Sequence, residues 1–257
     1  MSRIAAVFQK AGHKALIPYI TVGYPDSKTT LKAISLLAEN GADIIELGIP
    51  FSDPLADGAT IQESSYQALL KGVNTDTCLE IARQAREKTS VPLVFMTYYN
   101  PVLQYGLEKF CQACFIAGID GLIVPDLPPE EGTALESMAH KNGLDLIYLL
   151  APTSTSERIQ MVAERSSGYI YLVSVAGVTG ARSSLPTDLT SFICRVRQAT
   201  QKPLCVGFGI STPEQAEQIG KLADGVIIGS KLIQLMKVDK TLNSLAEFIR
   251  SVRSALG

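Results

Sequence analysis

Short apolar runs rich in Val, Ile and Leu alternate along this chain with longer stretches whose apolar residues recur every three or four positions. The first pattern predicts buried strands, the second helices with one apolar face. The strand candidates are Ala15–Val22, Asp43–Ile49, Pro92–Tyr98, Gly121–Val124, Asp145–Leu150, Tyr169–Val175, Leu204–Gly209 and Gly225–Ile228. After the first of them, Lys28–Asn40 carries Leu31, Ile34, Leu37 and Ala38 on one face and stops at Gly41, a favoured residue just past a helix end. Thr212-Pro213-Glu214-Gln215 offers an N-cap, a proline at the first helical position and a Gln two residues on. Leu242, Leu245, Phe248, Ile249, Val252 and Leu256 stripe a last helix, and Met1–Gly12 reads as an extra helix before the first strand.

Strict alternation of strand and helix means parallel strands joined by helical crossovers. Their near-continuous apolar character is that of a sheet buried on both faces. Eight such units in 257 residues fit one closed (β/α)8 TIM barrel spanning residues 1–257, with an open doubly wound sheet as the alternative. A short apolar segment, Lys231–Met236, adds an extra helix after the eighth strand. Barrel chemistry sits at the C-terminal strand ends, so the long connections after strand two (Pro50 onward) and strand six (Ala176–Thr187) are candidate functional loops.

Composition narrows the chemistry. Twenty-three basic against 25 acidic residues leave a charge of −2, without the basic excess of a nucleic-acid binder. No apolar run reaches the length of a membrane span, and the N-terminus turns polar too soon for a secretory signal, so a cytoplasmic protein is expected. Five cysteines are too few and too scattered for a disulfide framework. Cys111 and Cys114 form a C-x-x-C, but within a helical pattern and without a second pair, which suits buried thiols better than a metal or redox site. With only His13 and His140, no metal site and no Ser-His-Asp triad is expected. Carboxylates, tyrosines, lysines and backbone groups remain.

The densest chemical signal runs from Glu46 to Gln62. Glu46 interrupts the apolar run Ile44–Ile49, and a carboxylate there must be paired, hydrogen-bonded or protonated. Two readings stand: a desolvated proton shuttle at the barrel mouth, or a structural carboxylate bonded to backbone or a nearby Lys. Asp53 and Asp57 follow in ordinary turn dipeptides, with Gly48 and Gly58 permitting tight turns. Two acids in unlike surroundings can divide the roles of proton carrier and fixed charge. Glycines recur after strand six (Gly177, Gly180), strand seven (Gly207, Gly209) and strand eight (Gly229, followed by Ser230). Such glycines and a helix N-terminus form the phosphate site of many barrels. Tyr19 and Tyr171 either line an apolar pocket near the mouth or pack in the core.

The segment Glu46-Leu-Gly-Ile-Pro-Phe-Ser-Asp-Pro-Leu-Ala-Asp-Gly-Ala-Thr-Ile-Gln62 resembles the signature of the tryptophan synthase alpha chain family. So do Tyr98-Tyr-Asn-Pro101, Pro125-Asp-Leu-Pro-Pro-Glu-Glu131, Gly177-Val-Thr-Gly180 and Gly207-Phe-Gly-Ile-Ser211, in order along the chain. The resemblance implies a (β/α)8 lyase that cleaves indole-3-glycerol phosphate to indole and glyceraldehyde 3-phosphate. It places Glu46 at the general acid–base position and Asp57 at the carboxylate that meets the indole N–H. Tyr171 falls at the substrate, Tyr19 where the family often has Phe beside the indole, and Gly180, Phe208, Gly209, Gly229 and Ser230 at the phosphate. Loop 177–186 would close as a lid, with Thr179 reaching the Asp57 carboxylate. The resemblance also implies a tryptophan synthase beta chain in an alpha2beta2 heterotetramer; that chain, not this one, would carry pyridoxal phosphate. Ala59 departs from a proline usual after the Asp-Gly, and Val175 stands where some members have Arg. The rival readings are another phosphate-binding barrel enzyme, such as an epimerase or isomerase, and a barrel that only activates a partner.

Overall fold

The computed structural model describes residues 1–10, 12–173, 187–207 and 209–257. Its strands are β1 (Ala15–Thr21), β2 (Ile45–Gly48), β3 (Leu93–Met96), β4 (Gly121–Ile123), β5 (Asp145–Ile147), β6 (Leu149–Leu150), β7 (Ile170–Val173), β8 (Leu204–Gly207) and β9 (Gly225–Ile228). Its helices are α1 (Arg3–Val7), α2 (Ser27–Glu39), α3 (Ala59–Leu70), α4 (Thr75–Arg86), α5 (Tyr99–Tyr105), α6 (Leu107–Ile116), α7 (Thr133–Lys141), α8 (Ser156–Arg165), α9 (Thr187–Ala199), α10 (Pro213–Gly220), α11 (Ser230–Val238) and α12 (Asn243–Leu256). All strand pairs are parallel, in the order β5-β4-β3-β2-β1-β9-β8-β7-β6. The two ends of that order are halves of one run, so the sheet curls round to close a TIM barrel.

That run was expected as a single strand, Asp145–Leu150, and is broken at Tyr148. The Tyr148 N–H donates to the Ser166 hydroxyl at 3.1 Å instead of to a neighbouring strand. Ile147 still pairs with β4, and Leu149 with β7. The first helix is also shorter than the Met1–Gly12 expected. It is capped by the Ser2 hydroxyl and ends at Val7. The expected helices after β1, after Thr212 and at the C-terminus are α2, α10 and α12, and the Thr212 hydroxyl accepts from Gln215 N at 3.3 Å. Cys111 and Cys114 are buried in α6.

Side chains alternate between two cores. Leu16, Ile45, Phe95, Leu122, Leu172, Val206 and Val226 face outward and pack with the helices. Ala15, Ile17, Ile44, Val94, Ile123, Ile147, Tyr169, Cys205 and Ile227 fill the barrel. Helix α1 plugs the N-terminal end: Ile4 is fully buried in this inner core, and the Phe8 ring lies 6.1 Å from that of Tyr169.

The same end carries a repeated clamp. Leu16 N donates to Asp43 Oδ2 at 2.8 Å while Asp43 N donates to Leu16 O at 2.9 Å. Leu93 and Asp120 make the same exchange at 2.9 and 2.8 Å, and Leu204 and Asp224 make it at 2.9 Å each way. Leu146 and Ser167 make it at 2.7 and 2.9 Å, with a hydroxyl in place of the carboxylate. Each aspartate also binds an arginine from a helix: Arg253, Arg86 and Arg197 respectively. These side chains give an N–H near the start of β1, β3, β5 and β8 an acceptor, and the arginines neutralise the three aspartates among them.

Candidate active site

The opposite end of the barrel is built from inward positions at the C-terminal ends of the strands. Because the strands are parallel, those ends share one rim. Glu46 points inward from β2 between Ile44 and Gly48 and is fully buried. Tyr169, at the foot of β7, donates its hydroxyl to Glu46 Oε1 at 2.7 Å. Among the described residues, Glu46 Oε2 is buried without a hydrogen-bond partner. Among the described residues neither a lysine nor a backbone group hydrogen-bonds this carboxylate. Burial pushes its pKa up to about 8, against a smaller opposing pull from the Tyr169 hydroxyl.

Asp57 reaches the same space from the loop after β2. Several contacts shape that loop. The Phe51 ring stacks on Tyr98 with centroids 5.2 Å apart. The Tyr98 hydroxyl accepts from Ala56 N at 3.0 Å. Gln62, one turn into α3, donates to Asp57 O at 2.8 Å, and Ser65 bonds both polar backbone atoms of Phe51. Ala59 occupies the first position of α3, where a proline would be at ease. Burial raises the Asp57 pKa to about 6, partly offset by the Tyr98 hydroxyl. Asp53, by contrast, is exposed and accepts from the Ser52 hydroxyl at 2.5 Å.

Tyr19 and Tyr171 line the mouth on either side. Tyr19 pairs in register with Glu46, and its hydroxyl lies over Gly48, where a Cβ would sit 2.0 Å away. Tyr171 lies over Gly207 in the same way, with 2.3 Å from its hydroxyl to the place of a Cβ. Gly48 was expected to permit a turn; it lies inside β2 and makes room for a ring instead. Both tyrosine hydroxyls are pushed up by burial and then by the nearby charges of Asp57 and Glu46, so both acids face one opening. The Tyr19 ring also borders Gly229, 3.2 Å from its Cβ position.

Gly229 caps α11, which begins at Ser230, and no side chain among the described residues caps that N-terminus. Leu232 N donates to Gly229 O at 2.8 Å, and the N–H groups of Ser230 and Lys231 precede it at the end of β9, where a helix start favours an anion. Gly207 closes β8, and Gly209 follows with φ of 36°. Lys231 leans away over the Phe248 ring, 5.9 Å from its centroid. Thr179, Gly180, Val175, Phe208 and the proposed lid 177–186 lie outside the described residues. A groove of about 560 Å³ outside the barrel is lined by Phe51, Pro54, Gln62, Tyr66 and Leu70, and neither acid lines it.

A family model, the tryptophan synthase alpha chain, matches residues 5–255. The chain belongs to the tryptophan synthase alpha chain family. Tryptophan synthase alpha chains of Dehalococcoides mccartyi and Geobacter sulfurreducens are 59% and 47% identical to it, each over the whole of both chains. The crystal structure of tryptophan synthase subunit alpha from Legionella pneumophila superposes with a TM-score of 0.92 at 37% identity, covering 100% of this chain and 98% of that one. A tryptophan synthase chain from Mycobacterium tuberculosis gives a TM-score of 0.92 at 38% identity, covering 99% and 98%. The activity of the tryptophan synthase alpha chain family is retro-aldol cleavage of indole-3-glycerol phosphate, a lyase step of tryptophan biosynthesis. Tyr169, which bonds Glu46, is the residue that the sequence did not single out, since a tyrosine opening an apolar strand is indistinguishable from core; Tyr98 was visible there only as part of the motif Tyr98–Pro101.

Proposed function

We propose that Glu46 and Asp57 divide the work of this cleavage between them. The observation that carries this reading is a fully buried Glu46 with one oxygen unpartnered among the described residues, near the same two tyrosines as Asp57; burial raises Glu46 to about 8 and Asp57 to about 6. Between those values Glu46 is mostly protonated while Asp57 is mostly charged. Glu46 delivers its proton to indole C3, which leaves the ring cationic. Asp57 accepts the indole N–H and stabilises the charge as it develops. The glutamate carboxylate then takes the proton of the glycerol hydroxyl. The carbon–carbon bond breaks, its electrons return to the ring, and indole and glyceraldehyde 3-phosphate leave with Glu46 protonated again.

Tyr19 and Tyr171 wall the indole site. The family pattern assigns the phosphate to Gly180, Phe208, Gly209, Gly229 and Ser230 and a contact with Asp57 to Thr179; among the described residues, Gly229 and Ser230 stand at the start of α11. Binding so far from the reacting bond orients the substrate at little cost to the chemistry. The whole of 1–257 acts as one barrel domain. Its partner is a tryptophan synthase beta chain in an alpha2beta2 assembly, which carries the pyridoxal phosphate, so no step here runs through that cofactor. Exposed Leu55, Tyr66 and Leu70 beside the mouth supply an apolar surface for it. Among the described residues no helix is long and apolar enough to cross a membrane.

Single-turnover cleavage of indole-3-glycerol phosphate by Glu46→Gln and Asp57→Asn, with and without a beta chain, tests the division of roles. Both variants should bind substrate and fail to release indole at the wild-type rate. Wild-type cleavage by either removes that residue from the mechanism.

A further inference from the structure

The inner core holds a tyrosine whose hydroxyl has one partner among the described residues, the carboxylate of Glu46. Tyr169 is fully buried, and its ring rests on Phe8, the residue that caps the end of α1, with centroids 6.1 Å apart, and among Ile4, Ile147 and Cys205. Its hydroxyl donates to Glu46 Oε1 at 2.7 Å across 123 positions of sequence. A core tyrosine needs only some acceptor for its O–H. This one spends it on the single oxygen that the proposed proton carrier has in contact with another described side chain.

We propose that Tyr169 is a positioning residue for Glu46, occupying Oε1 so that the transferable proton is carried on Oε2, and that α1 holds Tyr169 in place to do so. The inference rests on the reading of Glu46 as proton carrier. A carboxylic acid can bear its proton on either oxygen, and only the one aimed at the substrate is productive. A hydroxyl donating into Oε1 makes that oxygen the carbonyl-like one and leaves Oε2 for the O–H. It also removes half of the rotational freedom of the carboxyl group before substrate arrives. The N-terminal plug then has a second task besides sealing the barrel. Its Phe8 ring keeps the Tyr169 hydroxyl within reach of the acid.

The titratable groups facing Glu46 are Tyr19 from β1, Tyr169 and Tyr171 from β7's run, Cys205 from β8 and Asp57 from the loop after β2. The neighbouring inward residues of β3, Val94 and Met96, do not titrate. Among these groups only Tyr169 hydrogen-bonds Glu46, so its loss should act on Glu46 specifically.

The test compares wild type, Tyr169→Phe, Phe8→Leu and Glu46→Gln, each with the full chain and a beta chain. Two readouts are used: the pH profile of kcat, and the carboxyl C=O stretch of Glu46 in difference infrared spectra with Glu46→Gln as the blank. In Tyr169→Phe, kcat should fall about tenfold with KM within twofold, and the alkaline limb should move up by about one pH unit. The infrared midpoint should move by the same amount. Phe8→Leu should shift both in the same direction by less, and it keeps the measurement available if Tyr169→Phe folds poorly. An unchanged limb and midpoint in both variants overturns the proposal. Full activity of Glu46→Gln would instead overturn the underlying reading, while the infrared midpoint would still report whether Tyr169 acts on Glu46.

Discussion

The two ends of this barrel treat an acid beside the strands in opposite ways. At the closed end, Asp43, Asp120 and Asp224 each receive a strand N–H and an arginine, and Asp43 also has His13 at 2.7 Å. At the open end, Glu46 has no cation and one tyrosine, with its second oxygen unpartnered among the described residues. The first arrangement is what a carboxylate needs to stabilise a fold: its charge is neutralised and its lone pairs are used. The second costs stability, and burial raises the Glu46 pKa to about 8. Residue type alone does not separate these roles. Surroundings do.

The contrast makes its largest demand on rate. Glu46→Gln should lower single-turnover cleavage on the order of a thousandfold. Asp120→Asn, corrected for the fraction folded, should stay within about twofold, because Asp120 touches nothing at the mouth. A comparable loss in both would erase the distinction between the two ends.

Stability should show the reverse. Asp120 is 9% exposed and Arg86 17%, so Asp120→Ala strands a half-buried guanidinium and a strand N–H. Urea denaturation should find it about 3 kcal/mol less stable than wild type. A loss under ~0.5 kcal/mol would mean the clamps are decoration.

Smaller effects should follow at the mouth glycines. In Gly48→Ala the new methyl would meet the Tyr19 hydroxyl at 2.0 Å, and in Gly207→Ala that of Tyr171 at 2.3 Å. The ring must swing into the opening, so KM should rise about tenfold, equal to ~1.4 kcal/mol of lost binding, with stability changing less. Steady-state kinetics and denaturation on the same samples separate the two. Least of all, Tyr98→Phe removes the acceptor for Ala56 N and should reduce kcat/KM about threefold by loosening the loop that carries Asp57.

Much of this architecture was legible in the chain. Strand and helix alternation gave the barrel, and Glu46 stood out because a carboxylate inside Ile44–Ile49 is expensive by any reading. Other features depended on partners far away in sequence. The break at Tyr148 comes from Ser166 taking its N–H, and α1 ends early although apolar residues continue to Phe8. Gly48 looked like a turn glycine, since nothing local announces that Tyr19 will lie on it. Tyr169 was hidden for the same reason: a tyrosine opening an apolar strand reads as core until its hydroxyl is seen against Glu46. The repeated clamps were missed because each joins residues far apart in sequence, three of them with a helix arginine and one with Ser167 in place of the aspartate.

The central claim is that Glu46 is kept uncompensated at a cost to the fold. Its pKa rises from 4.5 to about 8 on folding, so between those values the folded protein holds a proton that the unfolded chain has released. Stability therefore falls as pH rises through that window, and glutamine at position 46 escapes the loss. Urea denaturation of wild type and Glu46→Gln at about pH 5 and about pH 8.5 measures this directly. The advantage of the glutamine variant should grow on the order of 2 to 4 kcal/mol from the lower pH to the higher. A difference that stays constant across that range would show that Glu46 titrates like an ordinary carboxylate, and would contradict the account.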